Sequence, residues 1–427
     1  MSAHRVVIAG GGFGGMYAAK VLGKAPVDVT LIDRRNFHLF QPLLYQVATG
    51  ALSPGEIASP LRHVLSRYKN TRVLMGNVRD IDAASKRLQV DGEELPYDSL
   101  IVATGSAHHY FGHSEWQRYA PGLKSIEDAT EIRHRILAAF EAAERENDAE
   151  KRRQWLTFVV IGGGPTGVEL AGALGEIAND TLRNDFRRIN PAEANILLLE
   201  GSSRILGTFP EELSAKAERS LIRLGVRVRR GLATEVDAEG VTFRNGDQEM
   251  RIACRTVLWA AGVQASPLGE ALRERAGAQL DRSGRVVVEP DMTIAGHPEV
   301  FVIGDLALYT HQDGKPLPGV APVAMQQGRY AAQVIVSRLK GLSLEPFRYR
   351  DKGNMATIGR AAAVADVFGF RFSGWFAWMA WLLIHLMYLV EFDNRLLVLI
   401  QWMYNYFTKN RGARLITGDA GAGAGER

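Results

Sequence analysis

The strongest constraint on this chain is a glycine pattern that occurs twice, each time at a strand-to-helix turn. Val6-Val7-Ile8-Ala9 runs into Gly10-Gly11-Gly12-Phe13-Gly14-Gly15, and Phe158-Val159-Val160-Ile161 into Gly162-Gly163-Gly164-Pro165-Thr166-Gly167. Both are G-x-G-x-x-G between a β-branched apolar run and a helix-forming stretch, Met16 to Leu22 and Val168 to Ile177. Each continues to a strand ending in an acid, Val27 to Asp33 and Ile196 to Glu200. This is the opening of a βαβ unit, present twice. It predicts an α/β chain with two parallel sheets.

The chemistry needs glycine at these places. Gly10 and Gly162 permit the tight turn, Gly12 and Gly164 let backbone approach a pyrophosphate, and Gly15 and Gly167 allow close helix–strand packing. The helix amino terminus then offers N–H groups to phosphate. Glycine turns alone are common punctuation, but strand, glycines, helix and acid in order, twice, point to two dinucleotides. Asp33 and Glu200 suit ribose hydroxyls, and an acid repels a 2′-phosphate, which favours NADH over NADPH. Glu200 lies 33 residues beyond Gly167, against the usual interval of about 20, so an insertion is expected there. Arg204 is near enough in sequence to soften the preference. The economical pair is bound FAD and diffusing NAD(H). Leu100 to Ser106, with Thr104 and Gly105, and Val257 to Gly262, with Ala261, read as strands ending in small residues beside a cofactor. Phe301 to Asp305 ends a strand with Gly304-Asp305, placing a carboxylate where a ribityl hydroxyl could meet it.

Composition narrows the field. With 427 residues, 46% hydrophobic and 23% charged, the chain can build two or three cored domains, and no tract is of low complexity. Its single cysteine, Cys254, cannot form an intramolecular disulfide, a CxxC pair or a multi-cysteine metal site, and no metal site is expected. Cys254 reads as part of a strand from Arg251 to Leu258. The charge, 51 − 47 = +4, is too even for a nucleic-acid binder. A strand starting at Val6 leaves no room for a secretory or transit segment, so a cytosolic origin is expected.

Between the glycine loops, Asp128 to Arg153 reads as one charged helix. Gly225 to Gly246 is strand-rich, Arg285 to Val288 and Val300 to Ile303 are short buried strands, and Ala324 to Leu339 is helical after Pro322. The carboxyl end differs. Phe372 to Val390 is a 19-residue run without formal charge, and four of seven tryptophans fall between 375 and 402, as at a bilayer interface. Asn394 to Thr408 reads as a second helix with a polar stripe of Gln401, Asn405 and Thr408. Lys409, Arg411 and Arg414 follow, expected to lie among anionic headgroups. Monotopic attachment is favoured by Arg371 and Gly374 before the run and Glu391 and Asp393 after it. A single span, which needs about 18 apolar residues, and a buried helix or dimer interface are the alternatives. His385 reads as a packed histidine, and the Gly/Ala-rich end as disordered.

At this point the chain resembles the two-dinucleotide-binding-domain flavoproteins, and within them the type II NADH dehydrogenases (NADH:quinone oxidoreductases). The resemblance rests on the run from His38-Leu39-Phe40-Gln41-Pro42-Leu43-Leu44-Tyr45 to Gly50. It also rests on Gly167-Val168-Glu169-Leu170-Ala171-Gly172, Ala261-Gly262-Val263, and Gly304-Asp305. It implies two Rossmann-like domains, one inserted in the other. FAD would occupy 1–115 and 280–345, and NADH 116–279. A membrane-associated helical region would span 346–427, with apolar helices near 373–390 and 394–408. The implied residues for non-covalent FAD are Gly10, Gly12, Phe13, Gly14, Gly15, Asp33, Arg34, Gln41, Val78, Thr104, Gly105, Gly304, Asp305, Ala324 and Met325. For NADH they are Gly162, Gly164, Pro165, Thr166, Gly167, Glu200, Ala261 and Gly262.

The implied reaction is hydride transfer from NADH to flavin N5, then two-electron reduction of a membrane quinone. Glu169 would sit near the nicotinamide–flavin junction, orienting the stack or handling protons. The family's Ala-Gln-x-Ala-x-Gln motif is matched by Ala321-Pro322-Val323-Ala324-Met325-Gln326, followed by Gln327. Pro322 replaces the first Gln, so Gln326 or Gln327 would have to compensate. With no cysteine pair, thiol routes are closed. With one strongly polar member, His385, in the apolar run, there is no set of ionisable residues for proton pumping, and no proton translocation is expected. The resemblance also implies a homodimer at the cytoplasmic face of a bacterial inner membrane. Two other readings remain: an NADH-dependent reductase of a soluble electron carrier, and an NADH-sensing flavoprotein of apoptosis-inducing-factor type.

Overall fold

The computed structural model describes residues 3–417, so the Gly/Ala-rich end expected to be disordered lies outside the described residues. Two compact units emerge, each assembled from separated stretches. One comprises Met1–Leu39, Ala58–Ala107 and Val263–Lys352; the other comprises Phe40–Ile57, His108–Gly262 and Gly353–Arg427.

The first unit is built on a six-stranded sheet. Its order is Thr293–Ile294, His297–Val302, Ser99–Val102, His4–Ala9, Val27–Asp33, Thr71–Met75, parallel throughout except for the edge strand Thr293–Ile294. Val6 pairs with Val29, and Ile8 with Ile101. Val6, Ile8, Ile101 and Phe301 are fully buried, as continuous β-branched runs are in a sheet covered on both faces. Helix Phe13–Leu22 packs on helix Ala321–Arg338 through glycine: a Cβ on Gly328 would come within 2.1 Å of the Gly14 carbonyl oxygen. The long helix starts with Pro at its second residue, where a missing N–H costs nothing.

The second unit repeats the plan with four parallel strands, ordered Val226–Arg230, Asn195–Glu200, Thr157–Ile161, Thr256–Trp259. The insertion expected before Glu200 is a π turn at Ile177–Thr181 and a loop carrying a short Pro191–Glu193 helix. The Glu144 carboxylate holds that loop by accepting from the backbone N–H groups of Arg187, Arg188 and Ile189. The tail belongs to the same unit. Its meander Asn354–Gly359, Ala362–Val367, Phe370–Gly374 sits on helix Pro165–Glu176 so closely that a Cβ on Gly172 would lie 1.6 Å from the Ile358 carbonyl oxygen. Helices Trp375–Tyr388 and Phe392–Thr408 complete it.

Several expectations need correction. The charged segment forms two helices, Ile126–Arg145 and Ala149–Trp155, because Asp148 caps the second by accepting from the N–H groups of Glu150 and Lys151. Cys254 is not inside a strand; it lies between Gln248–Ala253 and Thr256–Trp259, strands of different sheets, buried with its thiol pushed up to about 12. The uncharged 19-residue run does not form one span. Strand Phe370–Gly374 takes its beginning, a 14-residue helix its middle, and extended backbone at Leu389 its end. No helix among the described residues is long and apolar enough to cross a membrane.

The glycine-to-glycine helix contact in the first unit is testable. Gly328→Ala should destabilise by about 1–3 kcal/mol through overpacking, read as a lower thermal midpoint. Gly55→Ala, where a Cβ meets nothing within 4 Å, should leave the midpoint unchanged or raised. Equal behaviour of the two variants would contradict this packing.

Candidate functional site

Two phosphate-type loops and one buried polar cluster stand out. In the first unit Gly10 turns with φ +108°, and a Cβ on Gly15 would lie 1.8 Å from the Gly10 carbonyl oxygen. Only glycine tolerates either demand. Asp33 Oδ2 accepts from Gly11 N–H at 2.6 Å and Oδ1 from Arg35 N–H at 2.8 Å. Each oxygen keeps a second lone pair for a ribose hydroxyl. The Gly11 carbonyl is held in turn by His38 Nδ1–H at 3.0 Å. Burial pushes that imidazole down to about 4, so it is neutral.

The other first-unit residues gather around this loop. A Cβ on Gly10 would meet Ala103 O at 2.4 Å, one on Gly14 would meet Ile303 Cδ1 at 2.9 Å, and one on Gly304 would lie 3.5 Å from Ala324 Cβ. Asp305 accepts from Ser106 Oγ at 2.7 Å, and Gln327 Oε1 accepts from Gly304 N–H at 2.7 Å. Thr104 Oγ1 is buried with no hydrogen-bond partner among the described residues. These features fit a dinucleotide such as FAD: an uncapped helix start for phosphate, an acid for ribose and an orphaned hydroxyl beside them. Arg34 is exposed next to Asp33, and Val78 begins the meander Val78–Asp82, Arg87–Val90, Glu93–Pro96. Gln41 belongs to the other unit, its amide donating to Lys124 O. Gln326 is engaged by backbone: its Nε2 donates to Arg350 O and its Oε1 accepts from Arg350 N–H, both at 3.0 Å.

The second loop is a close copy. Gly162 has φ +107°, a Cβ on Gly167 would again lie 1.8 Å from a carbonyl oxygen, that of Gly162, and Glu200 Oε2 accepts from Gly163 N–H at 2.5 Å. Gly164 caps the helix, with Pro165 and Thr166 exposed at its start. A Cβ on Gly162 would meet the Ala260 carbonyl at 2.7 Å, which brings Ala261 and Gly262 beside the loop. Here the second glycine's carbonyl accepts from Leu206 N–H, a backbone group in place of His38. Arg204 donates to the carbonyls of Phe209 and Gly207, so its guanidinium is committed to its own loop.

Glu169 lies on the helix that the second loop starts. Desolvation pushes its carboxyl up to about 8, opposed by the Thr357 backbone N–H. It lines a cavity with Tyr45, Gln46, Trp378, Trp381 and Trp402. Tyr45 OH accepts from Gln46 Nε2 at 3.0 Å, and Gln46 Oε1 accepts from Trp402 Nε1 at 2.8 Å. Trp381 Nε1–H is buried with no acceptor among the described residues. His385 packs against Trp381 and donates through Nδ1 to its carbonyl, as a packed histidine.

The tail corrects the headgroup expectation. Arg411 bridges to Glu176 at 2.7 Å and donates to Thr49, Lys409 pairs with Asp180 at 3.0 Å, and Arg414 pairs with Asp185. Asn405 donates to Ala51 O, Gln401 to Asn405, and Thr408 to Tyr404 O. Asn405 thus turns the stripe inward, and the basic residues are neutralised within their own unit. The exposed face of the helix is apolar instead: Leu396, Leu397, Ile400, Met403 and Phe407. Sequence reading missed Tyr45, Gln46, Glu176 and Arg411 as site residues. Only the unusual Phe40–Gly50 run hinted at them.

These paired loops define the class. A family model described as pyridine nucleotide-disulphide oxidoreductase matches residues 4–328, and one described as the NDH2 C-terminal domain matches residues 352–410. The chain is 48% identical over 425 residues to the type II NADH:quinone oxidoreductase NdhA of Mycobacterium tuberculosis, covering 97% of this chain and 89% of that protein. It is 46% identical to Ndh of the same organism, covering 97% and 90%. The structure of NDH2 from Plasmodium falciparum in complex with NADH shares the fold, with TM-score 0.86 at 21% identity, covering 97% of this chain and all of that one. The chain belongs to the type II NADH:quinone oxidoreductases.

Two outcomes follow from the second unit. Glu169, raised from 4.5 to about 8, binds a proton in the folded chain that the unfolded chain releases, so its contribution weakens stability as pH rises from about 4.5 to 8. Glu169→Gln should therefore stabilise at pH 7.5, by about 1–3 kcal/mol, and leave stability unchanged below pH 4.5; thermal midpoints across pH measure this. Arg411→Ala should cost about 3–5 kcal/mol by stranding Glu176 and should make residues 409–417 sensitive to protease. The double change Arg411→Met, Glu176→Met should recover most of that loss. An unaltered midpoint in Arg411→Ala would contradict the role given to the pair.

Proposed function

We propose that this FAD-dependent NADH:quinone oxidoreductase divides its work between the two glycine loops and the cavity under the tail helices. NADH binds at Gly162–Gly167, its pyrophosphate on the helix start and its adenine ribose on Glu200, with Gly164, Pro165, Thr166, Ala261 and Gly262 beside it. FAD binds at Gly10–Gly15 with Asp33, Thr104, Gly105, Gly304 and Asp305. Gln327 holds the Gly304 turn in place, and Gln326 fixes the neighbouring backbone. Bound flavin supplies the two-electron relay between a hydride donor and a quinone. The balance is NADH, one proton and quinone giving NAD⁺ and quinol.

The quinone head enters the cavity lined by Glu169 and the tail tryptophans. One observation carries this assignment: the wall combines a carboxyl protonated at neutral pH with a buried indole N–H that has no acceptor among the described residues. Glu169 holds a proton for a quinone oxygen, Trp381 Nε1–H donates to a quinone carbonyl, and Trp378 and Trp402 exclude water. The division of labour follows the two compact units: FAD in the unit of Met1–Leu39, Ala58–Ala107 and Val263–Lys352, and NADH in the other, whose tail helices Trp375–Tyr388 and Phe392–Thr408 face the membrane.

The apolar faces of both tail helices, including Phe376, Leu383, Met387, Ile400 and Phe407, rest in one leaflet of the bilayer. The cytoplasmic leaflet is the one that meets NADH. The same faces support a homodimer in detergent.

Anaerobic stopped-flow tests the reaction. NADH should bleach the flavin of the detergent-purified protein, and a short-chain quinone should restore its colour. Trp381→Phe should leave bleaching unchanged while slowing restoration about 5- to 10-fold at low quinone, the loss of one buried hydrogen bond. Bleaching without restoration in the unaltered protein would overturn quinone as acceptor. Equal rates in Trp381→Phe would remove Trp381 from the site.

A further inference from the structure

Phe111 is held in left-handed backbone, φ +53°, and is followed by Gly112 at φ +96°. A bulky aromatic residue in that region is an outlier that sterics disfavour, and such strain gathers at functional positions. The ring is 57% exposed, so burial does not explain the conformation. It is nonetheless firmly seated. Its edge lies over Gly262, where a Cβ would come within 2.6 Å of Phe111 Cζ, and its ring is 4.6 Å from that of His109. Trp259 Nε1 donates to His109 O at 3.1 Å, and His109 N–H to Gly262 O. These contacts stitch the segment to the carboxyl end of strand Thr256–Trp259.

That strand end has a defined place in the sheet. The glycine-bearing strand Thr157–Ile161 lies between Asn195–Glu200 on one side and Thr256–Trp259 on the other. In such a sheet a dinucleotide lies across the carboxyl ends of the strands, its pyrophosphate over the glycine loop. Glu200 claims the adenine ribose on its own side. The nicotinamide half is thereby directed to the opposite side, over Ala260 to Gly262, of which Ala260 and Ala261 lie against the loop at Gly162. Phe111 stands there with an exposed ring, and Gly262 is bare because a side chain would displace that ring.

We propose that Phe111 is a binding residue for the nicotinamide half of NADH, its ring forming an aromatic wall against the nicotinamide ring. This rests on the assignment of NADH to the second loop. An aromatic face also attracts the cationic ring of NAD⁺, so oxidised nucleotide should feel the same wall.

Calorimetry on the FAD-loaded enzyme tests it with NAD⁺, the non-reducing analogue tetrahydro-NADH, and ADP-ribose, which lacks the nicotinamide base. Phe111→Ala should weaken NAD⁺ and tetrahydro-NADH about 3- to 10-fold and leave ADP-ribose within about twofold, with KM for NADH raised more than kcat is lowered. Phe111→Tyr should bind like the unaltered enzyme. Phe111→Gly, which relieves the left-handed backbone, should match Phe111→Ala in binding while unfolding at higher temperature, separating the ring's role from the strain. Equal weakening of ADP-ribose, or no change for any ligand, would overturn the role of Phe111 alone. Failure of the unaltered enzyme to bind ADP-ribose would overturn the assignment of the second loop and this inference with it.

Discussion

The approach of one glycine to another's carbonyl, Gly15 to Gly10 and Gly167 to Gly162, is the contact on which each nucleotide unit depends. A Cβ there would lie 1.8 Å from oxygen in both. No relaxation accommodates that, so helix and strand can pack at this distance only as glycine. Once the helix is drawn onto the strand, its first N–H groups converge above the turn, and the carboxylate ending the next strand comes within reach of the middle glycine. Gly11 and Gly163 are therefore clamped from both sides, N–H by an acid and C=O by a donor. The donors differ. A backbone amide at Leu206 cannot titrate, whereas His38 must stay neutral to sit where it does. The stability that His38 contributes is present above its unfolded value near 6.5 and is lost as pH falls toward about 4. The first loop is the one that acid weakens.

A second constraint governs the tail. Its last helix is amphipathic in reverse: Asn405 and the buried Trp402 face protein, while Leu396, Ile400, Met403 and Phe407 face out. The inward side is satisfied by the Tyr45–Ala51 stretch and by Glu176, a neighbour from the helix below the second glycine loop. This explains why the run around Phe40–Gly50 is so particular in composition. Gln46 and Thr49 each meet a tail group more than 350 residues away, and Tyr45 bonds Gln46. A basic segment that answers three acids of its own unit has little charge left for headgroups, so the membrane attachment proposed above rests on apolar area rather than electrostatics.

The sheets were legible because their signals are local. β-Branched runs, turn glycines and terminal acids sit within one βαβ unit, and the strands appear close to where the sequence placed them. What failed was long-range. Lys409, Arg411 and Arg414 read as a headgroup patch because their partners, Asp180, Glu176 and Asp185, are about 230 residues upstream. The polar stripe of the last helix was visible without its direction, because periodicity shows that two faces differ, not which one is wet. The break at Asp148 was in the sequence as a capping residue and was overridden by the charge pattern around it. Glu169 was reached through resemblance; its raised carboxyl depends on burial by tail residues that no local pattern reveals.

Pro322 shows how the two constraints meet. At the second residue of its helix proline is a favourable start, but it removes an amide that could have touched an acceptor. Both neighbouring glutamines have backbone partners of their own: Gln327 Oε1 accepts from the Gly304 N–H, and Gln326 pairs with the Arg350 backbone. In the proposed function the polar contact to quinone comes from another element, the Trp381 indole N–H in the cavity under the tail. The proposed acceptor site thus pairs a helix start without its glutamine with an indole N–H that has no acceptor among the described residues.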